Sequence, residues 1–222
     1  MAVAVSSAML RSVPLFASFP EEPLRLLAAV VTRRSATRGS IIMAAGDPTD
    51  SLYIVLSGRL KVMMSDADGK EVILSILGPG EFFGEMGLID DSPRSASVVA
   101  IEPCELMAIT RRDFKKCLAE NFDMASAVMR GLVRRLREAD RKIGSLALLD
   151  VYGRVARLLL DMAETVDGQK MVTKRLPKQD IAKMIGASRE MVSRVMKDLQ
   201  IGGYIEMRGS TIVLRDTILL PD

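Results

Sequence analysis

The chain has 222 residues, enough for one or two domains with a buried core, and 49% hydrophobic with 27% charged residues is a globular composition. The net charge of +3 does not by itself indicate a partner. With no histidine and two cysteines, the sequence excludes a Ser-His-Asp triad, a histidine-ligated zinc or haem, and a cysteine-bound iron–sulfur cluster.

The predicted elements begin with a short helical segment over 13–31, where apolar residues recur at helical spacing and Pro20 and Pro23 indicate a helix start. From 39 to 109 the pattern changes to short apolar runs that are broken by turn residues, such as those at 46–48. Strands of this kind, spaced by about 8 to 12 residues, are typical of a small antiparallel β-sandwich or barrel.

The segment 121–149 changes period again, because its apolar residues are separated alternately by three and four positions. This spacing predicts one long helix with an apolar seam, and a second copy of the helix is its simplest partner, so we expect a homodimer. Six basic residues against two acidic ones over 130–142 form either a solvated surface or a contact for an anion. The seam positions are Met129, Leu132, Leu136, Ala139, Ile143 and Leu146.

The last segment contains the elements of a winged helix-turn-helix. The sequence predicts a helix over 151–164, a turn at Gly168, a short helix over 177–185, a turn, a helix over 188–200 and a hairpin over 204–214. A pair of helices joined by a short turn and followed by a hairpin is typical of DNA-binding domains of this type.

The predicted fold is therefore α+β, with three parts in chain order. An N-terminal antiparallel β-sandwich or jelly-roll occupies 1–120, and a long dimerisation helix follows over 121–149. A C-terminal winged helix-turn-helix occupies 150–222.

The second helix of the predicted helix-turn-helix carries side chains suited to reading DNA bases. Ser188 is a favourable N-cap, and Arg189, Glu190 and Arg194 can face outward together. Arginine can pair with both major-groove acceptors of guanine, and glutamate can accept from cytosine N4. Seven basic residues against two acidic ones over 174–197 suit phosphate contact, although a solvated helix unit is the alternative. The basic set is Lys174, Arg175, Lys178, Lys183, Arg189, Arg194 and Lys197.

A second constellation lies in the predicted sandwich, at Gly84-Glu85-Met86-Gly87 and Arg94-Ser95. Glycines allow a ligand to approach the backbone closely, and Glu85 could accept from ribose hydroxyls. Arg94 and Ser95 could hold a phosphate through charge-assisted hydrogen bonds. Taken alone, a glycine-rich segment beside an arginine is more often an ordinary turn.

Taken in order, these motifs resemble those of the CRP/FNR family of bacterial transcription regulators, over nearly the whole chain. Gly84-Glu85-Met86-Gly87 and Arg94-Ser95-Ala96 resemble the family's phosphate-binding cassette. Gly144-Ser145-Leu146-Ala147-Leu148-Leu149-Asp150-Val151 resembles its hinge. Ile185-Gly186-Ala187-Ser188-Arg189-Glu190-Met191-Val192-Ser193-Arg194 resembles its DNA-reading unit.

The resemblance implies roles for individual residues. Gly84, Glu85, Arg94 and Ser95 would hold a non-covalently bound cyclic nucleotide in a sensor domain. The DNA contacts would come from Ser188, Arg189, Glu190, Ser193, Arg194 and Lys178. It also implies a homodimer that binds a palindromic operator in double-stranded DNA and contacts RNA polymerase.

The sequence departs from the family's cAMP-binding pattern on the long helix, where Ala139 and Asp140 replace the adenine-contacting Thr-Ser pair. A carboxylate accepts well from guanine N1–H and its amino group, and Arg134 and Arg135 could stack on bases or pair with a second phosphate. The sequence therefore leaves cAMP and cyclic di-GMP open as effectors. Alternatively, Asp140 pairs with an arginine of the partner helix.

Two further expectations concern function and compartment. We expect no enzyme, since the sequence has no Walker-type loop and no histidine base; the alternative function is a constitutive DNA-binding dimer with a ligand-free sensor domain. Without a run of about 18 uncharged apolar residues, we expect a cytoplasmic protein with no membrane partner. Cys104 and Cys117 are expected to be buried apolar residues and not redox sensors.

Overall fold

The computed structural model of the protein describes residues 5–17, 19–173 and 176–215. The chain forms two compact units, 1–134 and 135–222, and the division falls within the longest helix. The first unit contains two buried apolar clusters and the second unit contains one.

The first unit contains a helical N-terminal segment, eight short strands and the helices that follow them. Its elements are α1 (Ser7–Arg11), a 3-10 helix (Pro14–Phe16), α2 (Glu21–Val30), β1 (Thr32–Ala36), β2 (Ile41–Met43), β3 (Ser51–Ser57), β4 (Leu60–Ser65), β5 (Glu71–Leu77), β6 (Phe82–Phe83), α3 (Met86–Ile89), β7 (Ser97–Ala100), β8 (Cys104–Thr110), α4 (Arg111–Glu120) and the first half of α5 (Phe122–Leu148). The segment 13–31, predicted to be helical, contains the 3-10 helix and α2, and Pro20 occupies the N-cap position of α2, which begins at Glu21.

The strands form two antiparallel four-stranded sheets, in the orders β1-β8-β3-β6 and β2-β7-β4-β5. Alternate residues of β3 serve different clusters: Tyr53 and Val55 belong to one, while Leu52 and Ile54 belong to the other, which includes helical residues. A strand buried on both faces reads as a continuous apolar run, as β3 does. The predicted antiparallel sandwich is confirmed.

Helix α5 was predicted over 121–149 and is observed over Phe122–Leu148. At its start, Asn121 Oδ1 accepts a hydrogen bond from the backbone N–H of Met124 at 3.0 Å. Met124 and Val128 are buried in the first unit's helical cluster. Helices α3 and α4 were not among the predicted elements.

The second unit contains the remainder of α5 and a helix-turn-helix flanked by a small sheet. Its further elements are α6 (Val151–Met162), β9 (Glu164–Val166), β10 (Gln169–Val172), α7 (Lys178–Ile185), α8 (Arg189–Ile201), β11 (Ile205–Arg208) and β12 (Thr211–Leu214). The strand order is β11-β12-β10-β9. The hairpin predicted over 204–214 therefore pairs, through β12, with a second hairpin formed by β9 and β10.

The second hairpin corrects the sequence prediction of a helix that continues to Glu164. Helix α6 ends at Met162, and Glu164 is the first residue of β9. Asp167 and Gly168 turn the chain with φ values of 48° and 76°, in the left-handed region that tight hairpin turns use. No helix in the described parts of the chain combines the length and apolar character needed to cross a membrane.

Candidate ligand and DNA-binding sites

A glycine turn joins β6 to α3 and brings the backbone close to a buried arginine. Gly84 has a φ of 83°, in the region that favours glycine. A Cβ at this position would lie 2.5 Å from Nη1 of Arg94. Since this distance is far shorter than a van der Waals contact, the absence of a side chain at Gly84 gives Arg94 its access to the turn.

The guanidinium of Arg94 is buried, with 4% of its side chain exposed. It donates to the carbonyl oxygens of Gly84 at 2.8 Å and Ser51 at 2.7 Å, and to Asp50 Oδ1 at 3.1 Å. An arginine has five N–H donors, and these three acceptors engage at most three of them. The other donors suit an anion such as phosphate, because guanidinium groups form strong charge-assisted bonds with it.

The ring of Tyr53 further restricts Arg94. The Cζ atom of Arg94 lies 5.9 Å from the Tyr53 ring centroid. Arg34 Nη1 donates to the Tyr53 hydroxyl at 2.8 Å, and the ring stacks on Phe83 with centroids 5.3 Å apart. The Arg94 guanidinium therefore lies near the Tyr53 ring, which is itself held by Arg34 and Phe83.

Glu85 and Ser95, the other predicted cassette side chains, differ in exposure. Glu85 is 1% exposed and occupies the N-cap position of α3. Ser95 is exposed, and its hydroxyl donates to Met86 Sδ at 3.9 Å. The structure thus gathers Gly84, Arg94 and Ser95 around the start of α3, and their roles toward a ligand stay predictions.

Sequence reasoning missed Asp50, Ser51 and Tyr53. Asp50 precedes Arg94 by 44 residues, and no spacing rule connects the two. An acidic residue before a strand and an aromatic residue within it are common features of ordinary sandwiches. The three residues become significant only once β3 is placed beside the turn after β6.

The predicted ligand residues of the long helix are Arg134, Arg135 and Asp140. Arg134 and Asp140 are exposed, and Arg135 is half-buried. Arg134 belongs to the first unit and the other two belong to the second. Their part in ligand binding therefore rests on the sequence.

The predicted seam of α5 is largely exposed in the single chain. Met129, Leu136, Ile143 and Leu146 are between 52% and 64% exposed. Leu132 differs, because it packs partly against the apolar cluster of the first unit. An apolar stripe of this length on one helix is typical of a surface that another helix covers.

The turn between α7 and α8 has the local features of a helix-turn-helix. Gly186 ends α7 with a φ of 65°, and its N–H bonds to the Ala182 carbonyl. Ser188 caps α8 by accepting from the Met191 N–H at 3.1 Å. Arg154 Nη1 donates to the Ile185 carbonyl at 2.9 Å and so ties α6 to the turn.

Helix α8 buries one face and exposes the predicted base-reading residues on the other. Arg189, Glu190 and Arg194 are exposed, and Ser193 is half-buried. The buried face of α8 packs in the second unit's cluster through Val192, Val195, Met196 and Leu199. The exposed side chains occupy the first turns of α8, the part of a recognition helix that contacts base edges in the major groove.

The basic residues around this unit are partly described. Lys178 is exposed at the first position of α7, and Lys197 is exposed on α8. Lys174 and Arg175 lie outside the described residues. The role of these lysines in phosphate contact stays a prediction.

The hairpin β11–β12 carries a compact charge cluster. Glu206 accepts from Arg208 Nε at 2.7 Å and from Arg215 Nη2 at 2.5 Å. These contacts, that of Arg208 above all, hold the pKa of Glu206 below its usual range. The two arginines are thus paired within the hairpin.

The two thiols are poorly placed for redox chemistry. Cys104 is buried and Cys117 is half-buried, and burial raises the pKa of both thiols. A thiol reacts as its thiolate, so a raised pKa lowers its reactivity at neutral pH.

Comparisons with known proteins match both units. Residues 33–121 match the cyclic nucleotide-binding domain family, and residues 153–220 match the Crp-like helix-turn-helix domain family. The chain is 34% identical over 184 residues to the CRP-like cAMP-activated global transcriptional regulator of Mycobacterium tuberculosis (strain CDC 1551 / Oshkosh), covering 81% of this chain and 82% of that protein.

Two further matches extend the comparison. The chain is 36% identical over 192 residues to the cAMP-activated global transcriptional regulator Vfr of Pseudomonas aeruginosa, covering 83% of this chain and 90% of that protein. Among solved structures, the c-di-GMP-responsive global regulator CLP of Xanthomonas campestris matches with a TM-score of 0.76 and 31% identity. That match covers 89% of this chain and 100% of the other.

Proposed function

Since this chain belongs to the CRP/FNR family of DNA-binding transcription regulators, we propose that it is a homodimer whose operator affinity is set by a cyclic nucleotide held at the Arg94 turn. The family consists of transcription regulators and not of enzymes. The observation that carries the proposal is the buried Arg94 guanidinium, which is fixed by three acceptors and retains donors for a phosphate.

Two effectors suit this arrangement, cAMP and cyclic di-GMP. Both contain a phosphodiester for Arg94 and Ser95 and a ribose 2′-hydroxyl for Glu85. The Mycobacterium and Pseudomonas relatives are named for activation by cAMP, and the Xanthomonas relative for its response to c-di-GMP.

Asp140 is the residue that separates the two effectors. Guanine offers an N1–H and an amino group, two donors that a carboxylate accepts well, whereas adenine presents an acceptor at N1. If cyclic di-GMP is the effector, we assign one guanine base to Asp140, and Arg134 and Arg135 would stack on a base or pair with a second phosphate. If cAMP is the effector, Asp140 has no such role.

The deciding experiment is isothermal titration of the purified protein with cAMP, cGMP and cyclic di-GMP at one salt concentration. Micromolar binding of cyclic di-GMP that is lost in Asp140→Ala supports the guanine assignment. Tight cAMP binding that is indifferent to Asp140→Ala supports a cAMP-responsive regulator. Cyclic di-GMP binding that is equally indifferent would overturn direct contact by Asp140.

The phosphate assignment has a matched control within the same sandwich. Arg94→Gln removes the buried guanidinium, and we expect nucleotide affinity to fall by at least about tenfold, because charge-assisted bonds contribute about 1.5–3 kcal/mol. Arg59 pairs with Glu102 at 2.8 Å, so Arg59→Gln removes a different partly buried arginine. Equal losses in the two variants would contradict a specific role for Arg94.

The regulatory response is measured as operator affinity with and without nucleotide. A ligand can shift the DNA-binding state only by binding one arrangement of the dimer better than the other. Operator affinity that is unchanged by every nucleotide would leave a constitutive DNA-binding dimer as the function.

The dimer and its partners complete the proposal. Two copies of α8, one from each protomer, suit a palindromic operator with half-sites one helical turn apart, about 34 Å. The exposed stripe of α5 is the surface we assign to dimerisation. We place the protein in the bacterial cytoplasm, where it binds chromosomal DNA. It would then regulate transcription by contacting RNA polymerase.

A further inference from the structure

Arg111, the first residue of α4, holds together the segments that surround the Arg94 turn. Its Nε and Nη2 donate to the Thr49 carbonyl at 3.1 and 2.7 Å, and Nη2 also reaches the Gly87 carbonyl at 3.3 Å. Its Nη1 donates to Asp91. One guanidinium therefore connects Thr49 with the segment that contains Gly87 and Asp91, which is far from Thr49 in the sequence.

The three acceptors lie in the segments that build the candidate cassette. Thr49 precedes Asp50, the carboxylate partner of Arg94, and Gly87 lies within α3. Asp91 begins the loop that leads to Arg94 and has a φ of 59°, an uncommon conformation for a residue with a side chain. Arg111 thus contacts the backbone close in sequence to Asp50 and Gly84, two of the residues that accept from Arg94.

The packing of these segments leaves little room for independent movement. A Cβ on Gly87 would lie 2.3 Å from the Ser92 carbonyl and 2.4 Å from Thr49 Oγ1. The Thr49 hydroxyl donates to the Ser92 carbonyl at 3.0 Å. Lys115, one turn after Arg111, donates to Asp91 at 2.9 Å. A shift of α3 therefore has to move the Asp91 loop and the acceptors of Arg111 together.

Helix α4 connects this cluster to the long helix. Phe114 of α4 is fully buried, in the same apolar cluster as Met124 and Val128 of α5. Only Asn121 separates the two helices in the chain. The buried cluster therefore provides a packed route by which a movement of Arg111 would reach the first turns of α5.

We propose that Arg111 is a positioning residue that couples occupancy of the Arg94 turn to helix α5. The inference rests on the proposed function, because it concerns how nucleotide binding at that site changes operator affinity. It goes beyond that function by naming the side chain that connects the two events.

Arg112 provides a matched control. It is the next residue of the same helix and carries the same charge, but its side chain is 88% exposed and its contact with Asp113 is 3.6 Å long. Arg112→Gln therefore removes one positive charge from α4 without removing a contact to the cassette. Arg111→Lys keeps the charge but replaces the planar guanidinium, which can donate in several fixed directions, by a single ammonium group.

The experiment measures nucleotide affinity and operator affinity for the wild type, Arg111→Gln, Arg111→Lys and Arg112→Gln. The nucleotides are cAMP and cyclic di-GMP, and the operator is the duplex that the wild type selects from a random-sequence pool. In Arg111→Gln we expect the ratio of operator affinities with and without nucleotide to fall by about tenfold, with a smaller fall in Arg111→Lys. Arg112→Gln should keep the wild-type ratio.

The outcomes separate the two proposals. Suppose that the wild type binds nucleotide and responds to it, and that Arg111→Gln has the same ratio as Arg112→Gln. This result overturns the role of Arg111 and leaves the proposed function standing. A wild type that binds neither nucleotide overturns both. If Arg111→Gln does not fold, Asp91→Asn is the second variant, because it removes the carboxylate charge that pairs with Arg111 and leaves the guanidinium in place. It should lower the same ratio, and an unchanged ratio there also overturns the role of Arg111.

Discussion

The ring of Phe82 lies against the backbone of Gly131, so that strand β6 and helix α5 touch where one of them has no side chain. A Cβ on Gly131 would lie 2.7 Å from Cζ and 3.0 Å from Cε1 of the ring. Phe82 is buried and stands two residues before Gly84, at the beginning of the turn that reaches Arg94. This contact joins the candidate cassette to the long helix without involving a residue of α4.

The contact predicts that Gly131→Ala destabilises the protein although alanine favours helix. The added methyl group must displace a buried ring, and overpacking of this kind costs about 1–3 kcal/mol. The gain in helix propensity, about 1 kcal/mol, offsets part of that cost. Denaturant unfolding should show a lower free energy of unfolding.

Gly144 is the control for this prediction, since it lies on the same helix and a Cβ there would meet nothing within 4 Å. Gly144→Ala should raise the free energy of unfolding by about 0.5–1 kcal/mol. If both alanine variants are stabilised alike, the Phe82 ring does not constrain Gly131.

A charge in the α5 stripe should separate the protomers. Leu136 is 63% exposed in the single chain and occupies a seam position, so Leu136→Asp would bury a carboxylate between two helices. Leu26 on α2 is 65% exposed and lies off the seam, which makes Leu26→Asp a matched substitution. Sedimentation should show monomers for Leu136→Asp and dimers for Leu26→Asp. The same oligomeric state in both variants would argue against the seam.

The recognition helix and the flanking lysine should respond differently to substitution. Arg194→Ala should cost about 1–3 kcal/mol of operator affinity and relax the preference at one position of each half-site. Lys178→Ala should weaken binding to all sequences alike and reduce the salt dependence of the binding constant by about one ion per site. Binding to operator and mutated duplexes over a salt series measures both effects. A uniform loss from both variants would refute the base-reading role of Arg194.

The ion pairs of Asp91 predict an acid-dependent contribution to stability. Its hydrogen bond with Lys115, followed by the charges of Lys115 and Arg111, holds the pKa of Asp91 below its usual range. A carboxyl whose pKa is lower in the folded state stabilises above its unfolded value, about 3.9, and loses that effect as pH falls through the folded pKa. Asp91→Asn should therefore melt at a slightly lower temperature than the wild type at pH 7.

The difference between Asp91→Asn and the wild type should shrink below about pH 4, as the wild-type carboxyl becomes protonated. Asparagine accepts the left-handed backbone at this position, so strain should not contribute. Asp68 is exposed and forms no ion pair with the described residues, so Asp68→Asn is the control and should melt like the wild type. A constant difference for Asp91→Asn across pH would point to packing and not to charge.

The order of the elements could be predicted from the sequence because burial is periodic along a strand or a helix. The apolar run in β3 and the heptad spacing of α5 each give a clear local signal. The hairpin β9–β10 does not, since its strands are short and β10 also pairs with β12, where Met171 meets Val213. A pairing between strands about forty residues apart leaves no pattern in the local sequence.

Some residues of the candidate site could be predicted from the sequence and others could not. Arg94, Gly84 and Ser188 were recognisable because a cation beside glycines and a cap before a helix are local patterns. Asp50 and Arg111 were not, because each acts on a segment more than twenty residues away. Their residue types are ordinary for a protein surface, and only the folded arrangement gives them partners.

Holding Arg94 in place has a thermodynamic consequence for any anion that reaches it. An arginine free in solution loses about 2 kcal/mol of rotamer entropy when it is immobilised. Here the carbonyls of Gly84 and Ser51 and the ring of Tyr53 have already restricted the side chain. Binding to Arg94 should therefore carry little conformational penalty from this side chain, and Tyr53→Ala should weaken binding mainly through a less favourable entropy.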